Sequence, residues 1–170
     1  MSTPSLSRRR GLQGLALLWL GITDAWAGAD PATDHARQTM TRALGTDPVE
    51  HTSAVNFAAT VERISAAIET AGMTVFARID HAAGAQAAGM TMPPTLVLIY
   101  GNPKGGTPIM LSVPQTALDL PLRVLIREDG GRALVSFHPA TPMLRDAGVP
   151  EALSTRLEPA QRLIVQAIQP

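Results

Sequence analysis

The chain has 170 residues, 14 basic against 14 acidic side chains, 45% apolar content and no cysteine. That length suits one ordinary domain, and the apolar fraction is that of a packed core rather than a disordered chain. Without cysteine there are no disulfides, thiolate nucleophiles or cysteine zinc sites, and the zero net charge argues against a dedicated nucleic-acid binder.

Arg8, Arg9 and Arg10 precede an apolar run from Leu15 to Leu20, and small residues follow at Ala25, Ala27 and Ala29. This is the plan of a cleavable signal peptide, with cleavage after Ala27. The apolar run is about half of the roughly 20 residues that a membrane span requires. Residues 1–27 are thus assigned to a leader, 28–48 to an N-terminal arm or short helix, and 49–170 to a single domain. The expected location is periplasmic or otherwise exported, with no membrane partner after cleavage. Ser7-Arg8-Arg9-Arg10-Gly11-Leu12-Gln13 also partly matches the twin-arginine signal, with Gly11 in the place of the usual aromatic residue. Cleavage removes Trp19 and Trp26, which leaves too few aromatics for a nucleic-acid stacking platform.

From Val49 the signals sharpen. Val49 to Val55 carries β-branched residues and predicts a strand. Asn56 is a good N-cap, and Phe57, Val61, Ile64 and Ile68 recur at helical spacing up to Gly72. Val75 to Asp80 predicts a strand with Val75, Ala77 and Ile79 on one side and Phe76, Arg78 and Asp80 on the other. A short helix started by Asp80 covers His81 to Ala88. Thr95 to Tyr100 is a continuous apolar run, expected as a central strand. Gly101 to Pro108 is read as a loop, with Thr107-Pro108 opening a short helix that Pro114 ends. Leu120 to Arg127 alternates, with Leu120, Leu122, Val124 and Ile126 inward and Arg123 and Arg127 outward. Asp129-Gly130 signals a hairpin to a return strand at Ala133 to Phe137. Ala140 to Ala147 and Pro150 to Ile168 predict helices, the second kinked or split at Pro159 with Glu158 biased away from helix. This order implies an α+β domain with an antiparallel or mixed sheet of four to five strands and helices mainly on one face.

Three ordered motifs carry a family likeness: Ile79-Asp80-His81-Ala82-Ala83-Gly84-Ala85, the stretch Gly101-Asn102-Pro103-Lys104-Gly105-Gly106-Thr107-Pro108, and Ala117-Leu118-Asp119-Leu120-Pro121-Leu122. With Thr60-Val61-Glu62-Arg63, they make the chain from about Val49 onward resemble the bacterial family known as domain of unknown function 302. The resemblance implies a two-layer α+β fold similar to the TATA-binding-protein architecture and a tendency to form homodimers. It brings no established activity. Two departures stand out: Ala59 replaces the glutamate that completes a capping box, and Ser136-Phe137-His138-Pro139 replaces the family's Ser-Tyr-Asn-Asp-Pro.

Asp80-His81 is the leading candidate for chemistry, because a carboxylate beside an imidazole can orient it or raise its basicity. The bland alternative is a cap followed by a core histidine. The glycine stretch after the apolar strand exposes backbone amides beside Lys104, the chain's single lysine, which suits an anion; the alternative is a tight turn. The order of its residues is not that of a P-loop. His51, His81 and His138, with Met90 and Met92, leave copper open as a further alternative, although no ligand spacing supports it. The expectation is non-catalytic binding of a small polar or anionic ligand, or of a protein partner, with no cofactor or metal. Asp80, His81, Asn102, Lys104 and Asp119 are the candidate ligand-binding residues, provided that their strand ends meet at one rim. The alternatives are an enzyme with His81 as general acid or base, oriented by Asp80 or Asp119, and a structural homodimer.

Overall fold

The structure, a computed structural model, describes residues 47–170. The expected leader and all but the end of the arm lie outside the described residues. Five strands, β1 (Val49–Thr52), β2 (Thr74–Asp80), β3 (Thr95–Gly101), β4 (Leu122–Asp129) and β5 (Arg132–Phe137), form one sheet in the order β1-β5-β4-β3-β2. Every pairing is antiparallel, so the sheet is not mixed. β2 to β5 are a meander, and β1 joins it beside the last strand.

The alternation of β3 and β4 creates the core. Leu96, Leu98 and Tyr100 lie beside Leu122, Val124 and Ile126 on one face, where Val135 and Phe137 of β5 continue them. Helix α1 (Phe57–Thr70) buries Val61, Ile64 and Ile68 against this face, as its spacing requires. It starts where the Asn56 side chain accepts a hydrogen bond from the Ala59 amide at 3.0 Å. The buried Thr60 hydroxyl donates to Ser53 Oγ at 2.7 Å and fixes the chain as it leaves β1. α1 connects the two edges of the sheet. Its 14 residues span about 21 Å, matching four inter-strand gaps of about 4.8 Å.

Helix α2 (His81–Ala87) follows β2, α3 (Pro103–Ser112) follows β3, and a 3-10 turn (Pro114–Leu118) leads into β4. After β5 come α4 (Ala140–Asp146), α5 (Glu151–Ser154), a second 3-10 turn (Thr155–Leu157) and α6 (Glu158–Ala167), which packs along α1. Buried Gln161 of α6 accepts from the Ala140 amide and donates to the His138 carbonyl, clamping the end of β5.

The structure differs from expectation in several local places. β1 ends at Thr52, not Val55, because the chain turns there towards the Asn56 cap. α3 begins at Pro103, not Pro108: Asn102 caps it, and Pro108 lies inside the helix. β4 begins at Leu122, so Leu120 lies outside the strand. In β2 the register shifts between Val75 and Ala77. The two-residue alternation breaks there: Val75 stands opposite Tyr100 while Ala77 stands opposite Ile99, on the other face. The last helix divides ahead of Pro159. Glu158 has helical φ and ψ of −55° and −43° despite the proline after it, because Pro159 fits the first turn of α6.

Candidate functional site

A pocket of about 400 Å³ opens where β3 ends and α3 begins. Met73 and Phe76 from the start of β2, Leu120, Pro121 and Leu122 at the start of β4, and Leu157, Ala160 and Leu163 from the C-terminal helices form its apolar walls. Gly101, Asn102, Pro103, Gly105 and Gly106 supply a wall of largely bare backbone, with Thr107 and Met110 beyond it. Arg156 is the one ionisable side chain in the lining. It is exposed and makes no ion pair among the described residues.

The glycine stretch is a helix, and this changes its chemistry. Pro103 has no amide to offer. The Lys104 amide donates to Asn102 Oδ1 at 2.9 Å, and the Gly105 and Gly106 amides donate to the Asn102 carbonyl at 2.9 and 3.1 Å. The first donors of α3 are therefore already satisfied, and the expected amide cradle for an anion is not formed. The Asn102 Nδ2 group donates to the Gly72 carbonyl at 3.0 Å, tying the start of α3 to the turn between α1 and β2. Both ends of the Asn102 amide thus hold structure. A Cβ on Gly105 would meet only Leu157 Cδ2 at 3.6 Å, and one on Gly106 would meet Leu120 Cδ1 and Met110 Cε at 3.9 Å. Leu157 and Leu120 belong to other walls of the pocket, so side chains at these two positions would grow into it.

The five candidate residues do not share a rim. Asp80 stands opposite Leu96 at the start of β3, while Asn102 follows its end, six residues and about 20 Å farther along the strand. Asn102, Lys104 and Asp119 lie at the pocket end, Asp80 and His81 at the opposite end. Asp119 is therefore out of reach of His81 and cannot orient it. The Asp80 carboxylate accepts from the Ala83 amide at 2.9 Å as the cap of α2, and His81, its first residue, is exposed rather than in the core. Lys104 is exposed and outside the pocket lining, and Asp119 closes the 3-10 turn with its backbone amide bonded to the Thr116 carbonyl at 3.0 Å. Of the five, only Asn102 lines the pocket.

His51, one of the copper candidates, stacks on Phe137 with ring centroids 5.9 Å apart. Among the described residues, no group of three or more His, Asp or Glu side chains is placed to hold a metal ion. A cluster of charges lies on the other face of the sheet, where Arg127 bonds Glu50 at 3.0 Å and Asp129 at 3.2 Å. The Ser136 hydroxyl, and then Arg127, hold the Glu50 carboxyl below its ordinary range. No helix among the described residues is long and apolar enough to cross a membrane.

Sequence reasoning missed Arg156 and the α6 residues of the pocket. They meet the β3–α3 junction only through the fold. The composition of the glycine stretch did mark one wall.

Residues 49–169 match the sequence profile described as Domain of unknown function DUF302. A solved structure, of an uncharacterized conserved protein DUF302 from Bacillus stearothermophilus, superposes with a TM-score of 0.62 at 14% identity. The match covers 71% of this chain and 94% of that one, and it establishes a shared fold. A stretch of 73 residues, 43% of this chain, is 49% identical to the Fluoride-specific ion channel FluC 1 of Brucella suis biovar 1. The same length matches FluC 2 of Brucella melitensis biotype 1 at the same identity. The matches cover 29% and 27% of those proteins, so the chain spans less than a third of the curated relatives' length.

Proposed function

The chain belongs to the DUF302 family, and from that premise we propose that its domain is a binding module that holds a small, mainly apolar ligand in the pocket between β3, α3 and α6 without turning it over. The observation that carries this reading is the lining. Walls of Leu, Met, Pro and Ala around about 400 Å³ have the size and character of small-molecule sites. The single ionisable lining group is an arginine, whose guanidinium offers hydrogen-bond donors and no acceptor and so suits holding an anion better than moving protons. A ligand that is polar throughout would leave apolar walls dry and its own groups unpaired. The expected polar character is therefore confined to one part of the ligand.

The test uses the neutral fluorescent probe N-phenyl-1-naphthylamine. It is expected to bind the full chain at one site and brighten, and Ala160→Phe or Gly106→Leu is expected to reduce that binding while the thermal midpoint shows the variant folded. Probe binding that is absent, or unchanged in both folded variants, overturns the reading. As part of the same proposal the module works in the periplasm, which fractionation of cells expressing the full chain checks.

The sequence shared with chains named as ion channels favours a second reading, a domain that engages a membrane transport protein. Here the full chain is expected to bind liposomes carrying the Brucella suis channel protein from which the shared stretch has been removed. Equal binding to liposomes without that protein removes this reading.

A further inference from the structure

We infer that the ligand is an aliphatic carboxylate whose chain fills the pocket and whose head group pairs with Arg156; this rests on the binding-module reading above. Three observations support it. Arg156 is the pocket's one charged residue, and like Arg63, Arg78, Arg123 and Arg132 it has no carboxylate partner among the described residues, so at this mouth its donors face the pocket unpaired with any acid. Its planar fork of donors matches a carboxylate. The nearby amides that would otherwise hold an anion are already bonded to Asn102, so an anionic head at this mouth is left to a side-chain cation.

The shape of the walls sets the remainder of the ligand. Phe76 is the one aromatic side chain among the lining residues; leucine is the commonest, with Met110 and Met73 at two sides. Such walls fit flexible methylene chains, and methionine adapts its packing to them. Gly105 and Gly106 deepen the same space. Two glycines inside a helix weaken it relative to alanine, and here they leave the helix backbone as a pocket wall.

The experiment is displacement of bound N-phenyl-1-naphthylamine from the full chain by decanoate and by decanol, which differ in their head groups. Decanoate is expected to displace the probe at lower concentration than decanol. Arg156→Gln is expected to weaken decanoate about fivefold relative to decanol, the upper range for a solvent-exposed ion pair. Raising the salt concentration is expected to weaken decanoate alone. Equal potency of the two competitors, an Arg156→Gln variant that retains the preference, or loss of the preference on Lys104→Ala instead would each overturn the inference. Failure of the probe itself to bind sinks the binding-module reading, so the two failures are distinguishable.

Discussion

The Tyr100 side chain is fully buried, and its hydroxyl has no hydrogen-bond partner among the described residues. Burial also pushes its pKa above the ordinary tyrosine value, since the phenolate is the costlier form to bury. Two consequences follow from one atom. Removing an unpaired buried hydroxyl relieves a desolvation penalty, so Tyr100→Phe is expected to be neutral or to stabilise by about 1 kcal/mol in urea unfolding. A clear loss of stability would mean that the hydroxyl has a partner, such as a buried water. The alkaline limb has a definite sign. With the folded pKa raised, the favourable term is complete below the unfolded value of about 10 and is lost as pH rises from there towards the folded value. The chain has one tyrosine, so phenolate absorbance reports it alone. Ionisation is expected to coincide with unfolding, and Tyr100→Phe is expected to flatten the stability profile in that range.

At the scale of elements, α3 separates what the sequence discloses from what it hides. Asn56 and Asp80 were recognisable as caps because each precedes a helical segment and has a short side-chain acceptor; both make the expected bond three residues on. Asn102 has the same chemistry, but the proline and two glycines after it read as a loop. The helix forms there because Pro103 occupies the first turn, where no amide is needed, and Asn102 serves as cap and tether together. Asn102→Ala is therefore expected to cost about 1–2 kcal/mol for the cap alone, more with the tether to Gly72 lost. Asn102→Asp keeps the acceptor and is expected to recover part of that loss. Lys104→Ala should stay within about 0.5 kcal/mol, because the side chain is exposed and unpaired among the described residues. Denaturant titration of the three variants checks the order. The bulge at Phe76 was hidden for a different reason: an alternating strand carries no local mark of one extra residue.

For the whole molecule, periodicity was enough to find the strands, the helices and the layer they share, because each buries one regular face. It was not enough to find the pocket, whose walls come from residues as far apart as Met73 and Leu163. Nor could it separate Asp80-His81 from Asn102, since only the antiparallel register places them at opposite ends of β3. The same register predicts a stability gradient. β3, β4 and β5 are flanked on both sides, whereas β1 has four residues and one neighbour. Hydrogen exchange monitored by NMR is expected to be slowest at Leu98, Val124 and Val135, faster at Ala77 and Ile79 in edge strand β2, and fast in β1. Uniform protection across the sheet would contradict that gradient.

The place of β1 beside β5 also bears on how the protein emerges from a ribosome. Val49 pairs with Phe137, so the first of the described strands to be made waits for the last. β2, β3 and β4 can pair in the order of their synthesis, while β1 and the near end of α1 have no sheet to join until the hairpin at Gly130-Gly131 has turned back. A nascent chain stalled before that hairpin should hold a three-stranded meander, and its early residues should stay open to proteases or to a chaperone.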